Sequence, residues 1–494
     1  MFALEELIVQ VLLYFVPQEA LNAFLRDPQT VATLLGGMIA ISGALLGTFL
    51  LLRGMSMTSD AISHTVLLGI VVAFLVMTGL LGLEPDLSSP ILILGAALAG
   101  VATVVLTELI YRSGLVKQDA ALGLAFPFLF AIAVILVSAF TADVHIDTDA
   151  VMVGEIGVAW ANTNSHCLEN CETVVITPDD PRAEVARACS NCAALNINPR
   201  DPAAEFAQTC ANCGTYSPGQ AWQAGLVESE PSLVFFPKAL TVMGVLLALS
   251  IAFVVVFYKE LKLSTFDAAL ARALGFRPGV LHYGLMIMVS LVAVGAFDAV
   301  GSILVVAFFI IPAAAAYLLT DRLWLMLIIS PVIGAVGAAF GYDLARGLLF
   351  GVIEIGAVFA QLNASLGTAL PERWDSSISA SMVLMIFLLF VLAWVFSPRY
   401  GLVAVTIRRI NQRRHFAHMI FLGHVYNHQD TPEAAVELAT TTLYEHLRWQ
   451  PTRTARVLSS LRLRQWVTVA GDRVLLTAQG RDQIESFRRE SLAR

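Results

Sequence analysis

Asp60 and His64 stand four residues apart in the segment SMTSDAISH (56–64), and an apolar run, 67–83, follows directly. Because residues i and i+4 lie on one face of a helix, a carboxylate and an imidazole at these positions would offer two ligands to a divalent metal. Ionisable side chains are costly at membrane depth and usually face a cavity or a partner group. The spacing therefore indicates either a metal-handling pair or a structural Asp–His hydrogen bond between packed helices.

The elements that position this pair are predicted to be membrane helices. Of the 494 residues, 57% are hydrophobic and 14% are charged, whereas soluble domains carry about a quarter charged residues. Several apolar stretches are long enough to cross a hydrocarbon layer of roughly 30 Å. We therefore expect an all-α polytopic membrane protein with about eight or nine transmembrane helices. The predicted spans are 31–52, 61–82, 90–111, 121–140, 237–257, 280–297, 301–320, 323–341 and 379–397.

Two further segments are apolar without being predicted spans. Residues 1–30 lack the basic flank and the cleavage site of a signal peptide, so they indicate an amphipathic or short apolar lead-in. Residues 342–362 are compatible with a further span, a re-entrant piece or an amphipathic surface helix.

Charge asymmetry predicts the orientation. Residues 408–494 hold fourteen Arg and eight acidic residues, whereas 141–235 hold thirteen acidic residues and three Arg. Basic loops favour the cytoplasmic side, so we expect the tail inside and the 141–235 loop, segment 342–378 and the N-terminus outside. A tight outer turn is predicted at 297–301. The basic residues behind this orientation are Arg112, Lys117, Lys259, Lys262, Arg272, Arg277, Arg399, Arg408 and Arg409.

The external loop contains a cysteine repeat. The segments ITPDDPRAEVARACSNCAALN and INPRDPAAEFAQTCANCGTYS align without a gap at a period of 21 residues. Even cysteine numbers outside the cell usually form disulfides, while Cys-x-x-Cys pairs can instead bind zinc or another soft metal. Disulfides are the favoured interpretation, and both stay open. The six cysteines of the chain are Cys167, Cys171, Cys189, Cys192, Cys210 and Cys213.

The tail, 408–494, has the pattern of a small α+β domain. Helices are predicted at 416–428, 431–447 and 452–466, followed by a hairpin at 467–476 and a last helix at 477–489. This order is typical of a winged helix-turn-helix, whose third helix commonly enters a DNA groove. DNA binding is the less favoured interpretation here, because Arg-rich cytoplasmic surfaces are ordinary in membrane proteins and winged helices also serve in protein docking. His424 and His428 share a helical face. They form either a regulatory metal site or an ordinary pair of surface histidines.

Three segments resemble one family in family order. They are GMSMTSDAISH (54–64), YKELKLSTFD with ARALG (258–275) and GSILVVAFFIIPAAAAYLLT (301–320). They are similar to motifs of the permease subunits of bacterial metal-ion importers of the ATP-binding cassette type, which take up zinc, manganese or iron. The resemblance covers roughly 31–160 and 232–397.

The resemblance implies residue roles and partners. Asp60 and His64 would belong to the intramembrane metal path, and segment 258–275 would contact the ATPase through Lys259, Glu260, Phe266 and Asp267. The implied partners are a cytosolic ATP-binding subunit, an extracytoplasmic metal-binding protein and a second permease, identical or paired, within the lipid of a bacterial cell membrane. Four parts are expected: permease at 1–160, the cysteine insertion at 161–231, permease at 232–407 and the winged-helix domain at 408–494.

The predicted function is that of an importer permease rather than an ATPase. The chain has no G-x-x-x-x-G-K-[ST] phosphate loop, so hydrolysis is expected on a separate subunit. The tail resembles the winged-helix extension, similar to metal-dependent repressors, that some manganese and iron members of this family carry. The resemblance therefore implies a divalent metal as substrate, manganese or iron before zinc, with no permanently bound cofactor. His282 and Asp298 are lesser ligand candidates. The alternative is a membrane-anchored, metal-responsive DNA-binding regulator.

Overall fold

The computed structural model describes residues 2–80, 90–140, 156–169, 174–175, 215–216, 232–369, 374 and 376–492. The chain forms two compact units, Met1–Ala393 and Trp394–Arg494.

The first unit is mainly helical. Its helices are α1 (Phe2–Phe15), α2 (Gln18–Arg26), α3 (Pro28–Leu52), α4 (Ser56–Leu75), α5 (Pro90–Arg112), α6 (Gln118–Phe140), α7 (Lys238–Val256), α8 (Tyr258–Phe266), α9 (Ala268–Ala273), α10 (Pro278–Val300), α11 (Ser302–Leu319), α12 (Leu323–Ala345), α13 (Ile355–Leu366) and α14 (Ile378–Phe396). Short strands pair in antiparallel twos: β1 (Thr163–Glu169) with β4 (Ser232–Pro237), β2 (Val174–Val175) with β3 (Thr215–Tyr216), and β5 (Leu348–Leu349) with β6 (Ile353–Glu354).

Within the described residues, eight helices are long and apolar enough to cross a membrane. They lie in α3, α4, α5, α6, α7, α10, α12 and α14, and they confirm the prediction of a polytopic helical membrane protein. The remaining predicted span, 301–320, corresponds to the shorter apolar helix Leu304–Leu319 of α11.

Two predictions at the helix ends need correction. The predicted turn at 297–301 is wrong over most of its length, because α10 continues to Val300 and the chain turns at Gly301, whose φ is 81°. That φ lies in the left-handed region, which glycine adopts without steric cost. Helix α12 also continues beyond the predicted 341 to Ala345.

The ambiguous segment after α12 forms the β5–β6 hairpin and then α13, a helix of 12 residues without a buried side chain. At 1.5 Å per residue this helix reaches only about 18 Å, well short of a hydrocarbon layer. Helix α13 is therefore too short to be a further span.

Helix α3 lies at the centre of the first unit. Most of its apolar side chains are buried, including Leu35, Ile39, Leu46 and Phe49, and it packs against α7, α10, α11 and α12. A helix that is apolar all round belongs to a protein core or to a membrane span. Apolar burial around α3 therefore fixes the frame that carries α4.

Close backbone contact joins α4 to α5. A Cβ built on Gly69 would lie 2.3 Å from the carbonyl oxygen of Gly95, so only glycine permits this approach. One turn before Gly69 on α4, the Thr65 hydroxyl accepts a 2.7 Å hydrogen bond from the Thr103 hydroxyl of α5. Small residues and hydroxyl hydrogen bonds are the usual contacts between helices in lipid.

The N-terminal lead-in consists of α1 and α2, which pack against the β1–β4 pair. Glu5 of α1 is completely buried; it accepts a 2.6 Å hydrogen bond from the Asn164 amide and lies 3.3 Å from Nε2 of His166. Gln18 and Asn22 of α2 both donate to the carbonyl oxygen of Leu233. The β1–β4 pair is thus tied to the N-terminus by buried polar contacts.

The second unit contains α15 (Leu402–His428), α16 (Ala434–Glu437), α17 (Leu443–His446), α18 (Pro451–Leu463), the antiparallel strands β7 (Val467–Ala470) and β8 (Arg473–Leu476), and α19 (Ala478–Leu492). Its core is formed by Phe421, Leu422, Val425, Leu443, Leu461, Val467 and Val474.

The predicted single helix at 431–447 is wrong. The chain forms two pieces of four residues, α16 and α17, and between them Ala439 makes a β-bridge with Arg473. The backbone N–H of Thr440 donates a 2.8 Å hydrogen bond to the carbonyl oxygen of Asp472, and the Thr440 hydroxyl bonds the Asp472 carboxylate. Pairing with the hairpin therefore replaces a helical turn, at three threonines that favour extended backbone.

Candidate functional site

The site begins where α3 ends. Gly54 adopts a φ of 69°, its N–H donates to the Leu51 carbonyl oxygen at 3.0 Å, and Met55 N–H donates to the Leu50 carbonyl oxygen at 2.9 Å. This pair of bonds is a Schellman motif, for which glycine is the usual residue. The tight cap lets α4 start two residues later and fixes the direction in which Asp60 projects.

Asp60 and His64 share one face of α4. Nε2 of His64 lies 3.6 Å from Oδ1 of Asp60. The side chain of His64 is 27% exposed and that of Asp60 is 44% exposed. On the opposite face, Ile62, Thr65 and Val66 are buried. Packing thus holds the helix from behind and leaves the Asp–His pair half exposed.

Aromatic rings of α6 border the pair on one side. The His64 ring stacks on Phe126 with centroids 6.0 Å apart and planes 25° apart, and it meets Phe130 edge-on at 6.0 Å. Such contacts hold the imidazole orientation. The arrangement offers one carboxylate oxygen and one imidazole nitrogen to a common ligand. Among the described residues, no group of three or more His, Cys, Asp or Glu side chains is arranged to hold a metal.

The two lesser ligand candidates both belong to α10. His282, near the start of α10, lines a small pocket of about 30 Å³ together with Thr58, Glu108 and Tyr111. Asp298 lies in the last turn of α10, and its side chain is outside the described part of the chain.

The predicted ATPase-contact residues lie on α8 and at its junction with α9. Asp267 caps α9, its Oδ1 accepting backbone hydrogen bonds from Ala269 at 3.0 Å and Leu270 at 2.8 Å. Phe266 is 62% exposed, and Lys259 is exposed too. Glu260 is half-buried, and its Oε2 has no hydrogen-bond partner among the described residues. Leu261, on the other face of α8, is completely buried and anchors the helix.

Arg53 joins the two candidate regions, and the sequence motifs do not single it out. From the end of α3, its Nη2 donates to the Ser264 hydroxyl at 2.8 Å and its Nε to the Thr265 hydroxyl at 3.1 Å. Burial lowers the pKa of the Arg53 guanidinium. A lone basic residue at the end of the first span was the available signal, but it is equally typical of an inner membrane boundary.

The cysteine repeat falls almost wholly outside the described residues. Cys167 lies on β1, where its backbone is in register with Leu233 of β4. Cys171, Cys189, Cys192, Cys210 and Cys213 lie outside the described residues, so both interpretations of the repeat remain predictions.

Comparison with known proteins gives a family match and relatives of known name. The model of the ABC 3 transport family matches residues 28–165 and 233–348. The zinc transport system membrane protein TroD of Treponema pallidum is 34% identical over 447 residues, which is 90% of this chain and 95% of the relative. The manganese transport system membrane protein MntD of Bacillus subtilis is 34% identical over 380 residues, 77% of this chain and 95% of the relative.

A structural likeness accompanies these relatives. The solved structure of PsaBC from Streptococcus pneumoniae in complex with Fab matches with a TM-score of 0.47 at 21% identity, covering 76% of this chain and 94% of that one. The interval between the two family matches, 166–232, contains the whole cysteine repeat.

Proposed function

The chain belongs to the ABC 3 transport family and is a permease of an ATP-binding cassette importer; from this premise we propose that it moves a divalent first-row transition metal through a path that includes Asp60 and His64. Permease subunits of such importers are not enzymes, and ATP hydrolysis takes place on a separate subunit.

The observation that carries this proposal is the position of the Asp60–His64 pair. A carboxylate and an imidazole lie on one half-exposed face of a membrane helix, 3.6 Å apart, while the opposite face is buried. Ionisable side chains in a span usually mark an ion route. The rings of Phe126 and Phe130 beside His64 form an apolar wall, which strengthens attraction between the ion and the carboxylate by lowering the local dielectric.

The metal is proposed from donor chemistry and from the relatives. Carboxylate and imidazole donors accept manganese, ferrous iron and zinc, and intrinsic affinity in a passive site favours zinc. The relatives compared above are named for zinc and for manganese transport. We therefore place manganese and zinc first for testing, with ferrous iron as the third cation. The metal passes through as substrate and is not a resident cofactor.

The partners follow from the exposed surfaces and from the family. We place the ATPase contact on α8 and α9, where the side chains of Phe266, Leu270 and Leu274 are exposed apolar groups. Scattered exposed apolar residues are ordinary, but several on two short adjoining helices favour a protein contact. An external metal-binding protein and a second permease, identical or paired, complete the proposed assembly in a bacterial cell membrane.

For the second unit we propose a winged-helix domain that docks proteins. Support comes from the order α15, α18, β7, β8 and α19, in which a helix is followed by an antiparallel hairpin and a closing helix. The excess of Arg in 408–494 also suits DNA, as in the alternative of a membrane-anchored regulator. Membership of a transport family favours docking.

Metal uptake by the reconstituted importer tests the proposal. Proteoliposomes containing the chain and its ATPase partner are supplied with the binding protein and with manganese, zinc or ferrous iron in turn. Asp60→Asn and His64→Gln are expected to lower uptake of the transported metal at least about tenfold, a loss of roughly 1.4 kcal/mol in stabilisation of the path. Asp321→Asn, in the loop after α11, is the charge-matched control. Undiminished uptake in both site variants would remove Asp60 and His64 from the path.

A further inference from the structure

A second group of possible metal ligands lies in the second unit. His424 and His428 occupy the last two turns of α15, Glu437 ends α16 and His446 ends α17. The His424 and His428 ring centroids are 4.7 Å apart. The His446 ring is nearly parallel to that of His424, with 23° between the planes and 6.2 Å between the centroids.

Glu437 brings a carboxylate to the same place. Its Oε2 contacts Nδ1 of His428, and its backbone carbonyl oxygen lies 3.4 Å from Nε2 of His424. Three imidazoles and one carboxylate therefore converge from three separate helices. The break between α16 and α17 makes this possible, since a straight helix over 431–447 would place Glu437 and His446 nine residues apart, more than two turns along one axis.

The cluster is partly open to solvent. Glu437 is largely buried, His424 and His428 are half-buried, and His446 is exposed. Within the described residues these side chains are not already arranged around a metal position. Binding of an ion would therefore require rotation of side chains, for which the exposed His446 and the half-buried His428 have room.

We propose that His424, His428, Glu437 and His446 form a binding site for a divalent transition metal in the second unit. Three imidazole nitrogens and one carboxylate oxygen make a four-coordinate set of the kind that zinc prefers, and the same donors accept manganese, ferrous iron or cobalt. The ion would replace the direct contact between His428 and Glu437. Any proton held between these two groups would be released to water when the ion binds.

A sensing role follows from the position of this site in the second unit. That role rests on the transport proposed above, whereas metal binding at the site is independent of it. A metal bound here would tie the ends of α15, α16 and α17 together. The site would then respond to the metal concentration on the side of the membrane where the tail lies, and its occupancy would slow further uptake.

Binding is tested with cobalt on the purified full-length chain. In a background of Asp60→Asn with His64→Gln, the chain is expected to take up about one more cobalt ion than the same chain carrying His424→Gln, with a tetrahedral absorption band that the variant lacks. His446→Gln, at an exposed position, should lose the same ion even if His424→Gln disturbs folding. His415→Gln, an exposed histidine of α15 outside the cluster, is the matched control and should retain it.

An unchanged cobalt stoichiometry and spectrum in both His424→Gln and His446→Gln would overturn the site. The sensing role is tested in the reconstituted importer by enclosing zinc on the tail side. Uptake should fall in the parent chain and not in His446→Gln; an equal fall in both would overturn the sensing role. Absence of uptake from every form, with cobalt binding retained, would contradict the proposed transport and leave the binding site standing.

Discussion

Nη2 of Arg53 lies 2.8 Å from the Ser264 hydroxyl oxygen, so a side chain at the end of α3 holds the end of α8. The next residue, Gly54, begins the turn into α4, which carries Asp60 and His64. A short covalent and hydrogen-bonded route therefore joins the proposed ATPase contact to the proposed metal ligands. We infer that movement of α8 is transmitted to α4 through Arg53.

Arg53→Gln is expected to reduce metal uptake per ATP hydrolysed. Hydrogen bonds from a charged donor are worth about 1.5–3 kcal/mol, so the substitution should weaken the coupling about tenfold or more while the partner subunit still hydrolyses ATP. The ratio of uptake to hydrolysis in proteoliposomes is the measurement. Arg322→Gln, at an exposed position before α12, is the control; a ratio equal to the parent's in Arg53→Gln would contradict the inference.

Gly69→Ala is expected to destabilise the first unit. The added methyl would lie 2.3 Å from the Gly95 carbonyl oxygen, which is backbone and cannot rotate away. Overpacking of this kind costs about 1–3 kcal/mol. Unfolding of the purified chain in detergent measures it, and Gly123→Ala on α6, where a Cβ would meet nothing within 4 Å, is the matched control. Equal stabilities of the two variants would show that α4 and α5 approach less closely.

Glu5→Ala is expected to release α1 from the β1–β4 pair. Glu5 is completely buried beside His166 and Asn164, and removal of a buried hydrogen-bond acceptor leaves its donor unsatisfied at a cost of about 1–3 kcal/mol. Hydrogen exchange of β1 should become faster in the full-length variant. Glu6→Ala, one residue along and exposed, should exchange like the parent. If β1 exchanges equally in all three chains, the buried pair does not hold this region.

The second unit is expected to lose stability on mild acidification. Burial lowers the pKa of His418 below its ordinary value of 6.5, and nearby positive charges, Arg464 first, lower it further. The unfolded chain therefore binds more protons than the folded unit below about pH 6.5, and stability falls as the pH drops through that value towards the lower folded pKa. Urea titrations of the full-length chain at pH 7.5 and 5.5, read by exchange of α15 peptides, measure this loss.

His418→Gln should reduce the pH dependence without removing it, because burial also lowers the pKa of His424 in the same unit. A parent chain whose second unit is equally stable at both pH values would contradict the assignment of His418 as a buried neutral histidine.

Much of the fold could be predicted because it is determined by local sequence patterns such as hydrophobic runs and residue spacing. The long apolar runs locate the spans, since a helix satisfies its own backbone hydrogen bonds in lipid, and the i, i+4 spacing alone places Asp60 and His64 on one helical face. Local caps are equally visible, as Asp267 at the start of α9 illustrates.

The features that could not be predicted depend on residues distant in sequence. The helix at 431–447 breaks because Thr440 bonds Asp472, 32 residues away. Arg53 is 211 residues from Ser264. The close approach of Gly69 to Gly95 likewise depends on how two helices pack. Sequence patterns report propensity and burial, but tertiary partners decide between competing local structures.

Pulsed electron paramagnetic resonance of manganese bound to the assembled importer tests the central claim most directly, with His424→Gln and His446→Gln present in every chain so that the proposed site of the second unit contributes no imidazole nitrogen. If His64 is a ligand, the spectrum should contain a coupling to an imidazole nitrogen that disappears in His64→Gln and persists in His282→Gln. Asp60→Asn should weaken manganese binding in the same experiment. A nitrogen coupling unchanged in His64→Gln, with manganese bound as tightly as in the parent chain, would contradict the account.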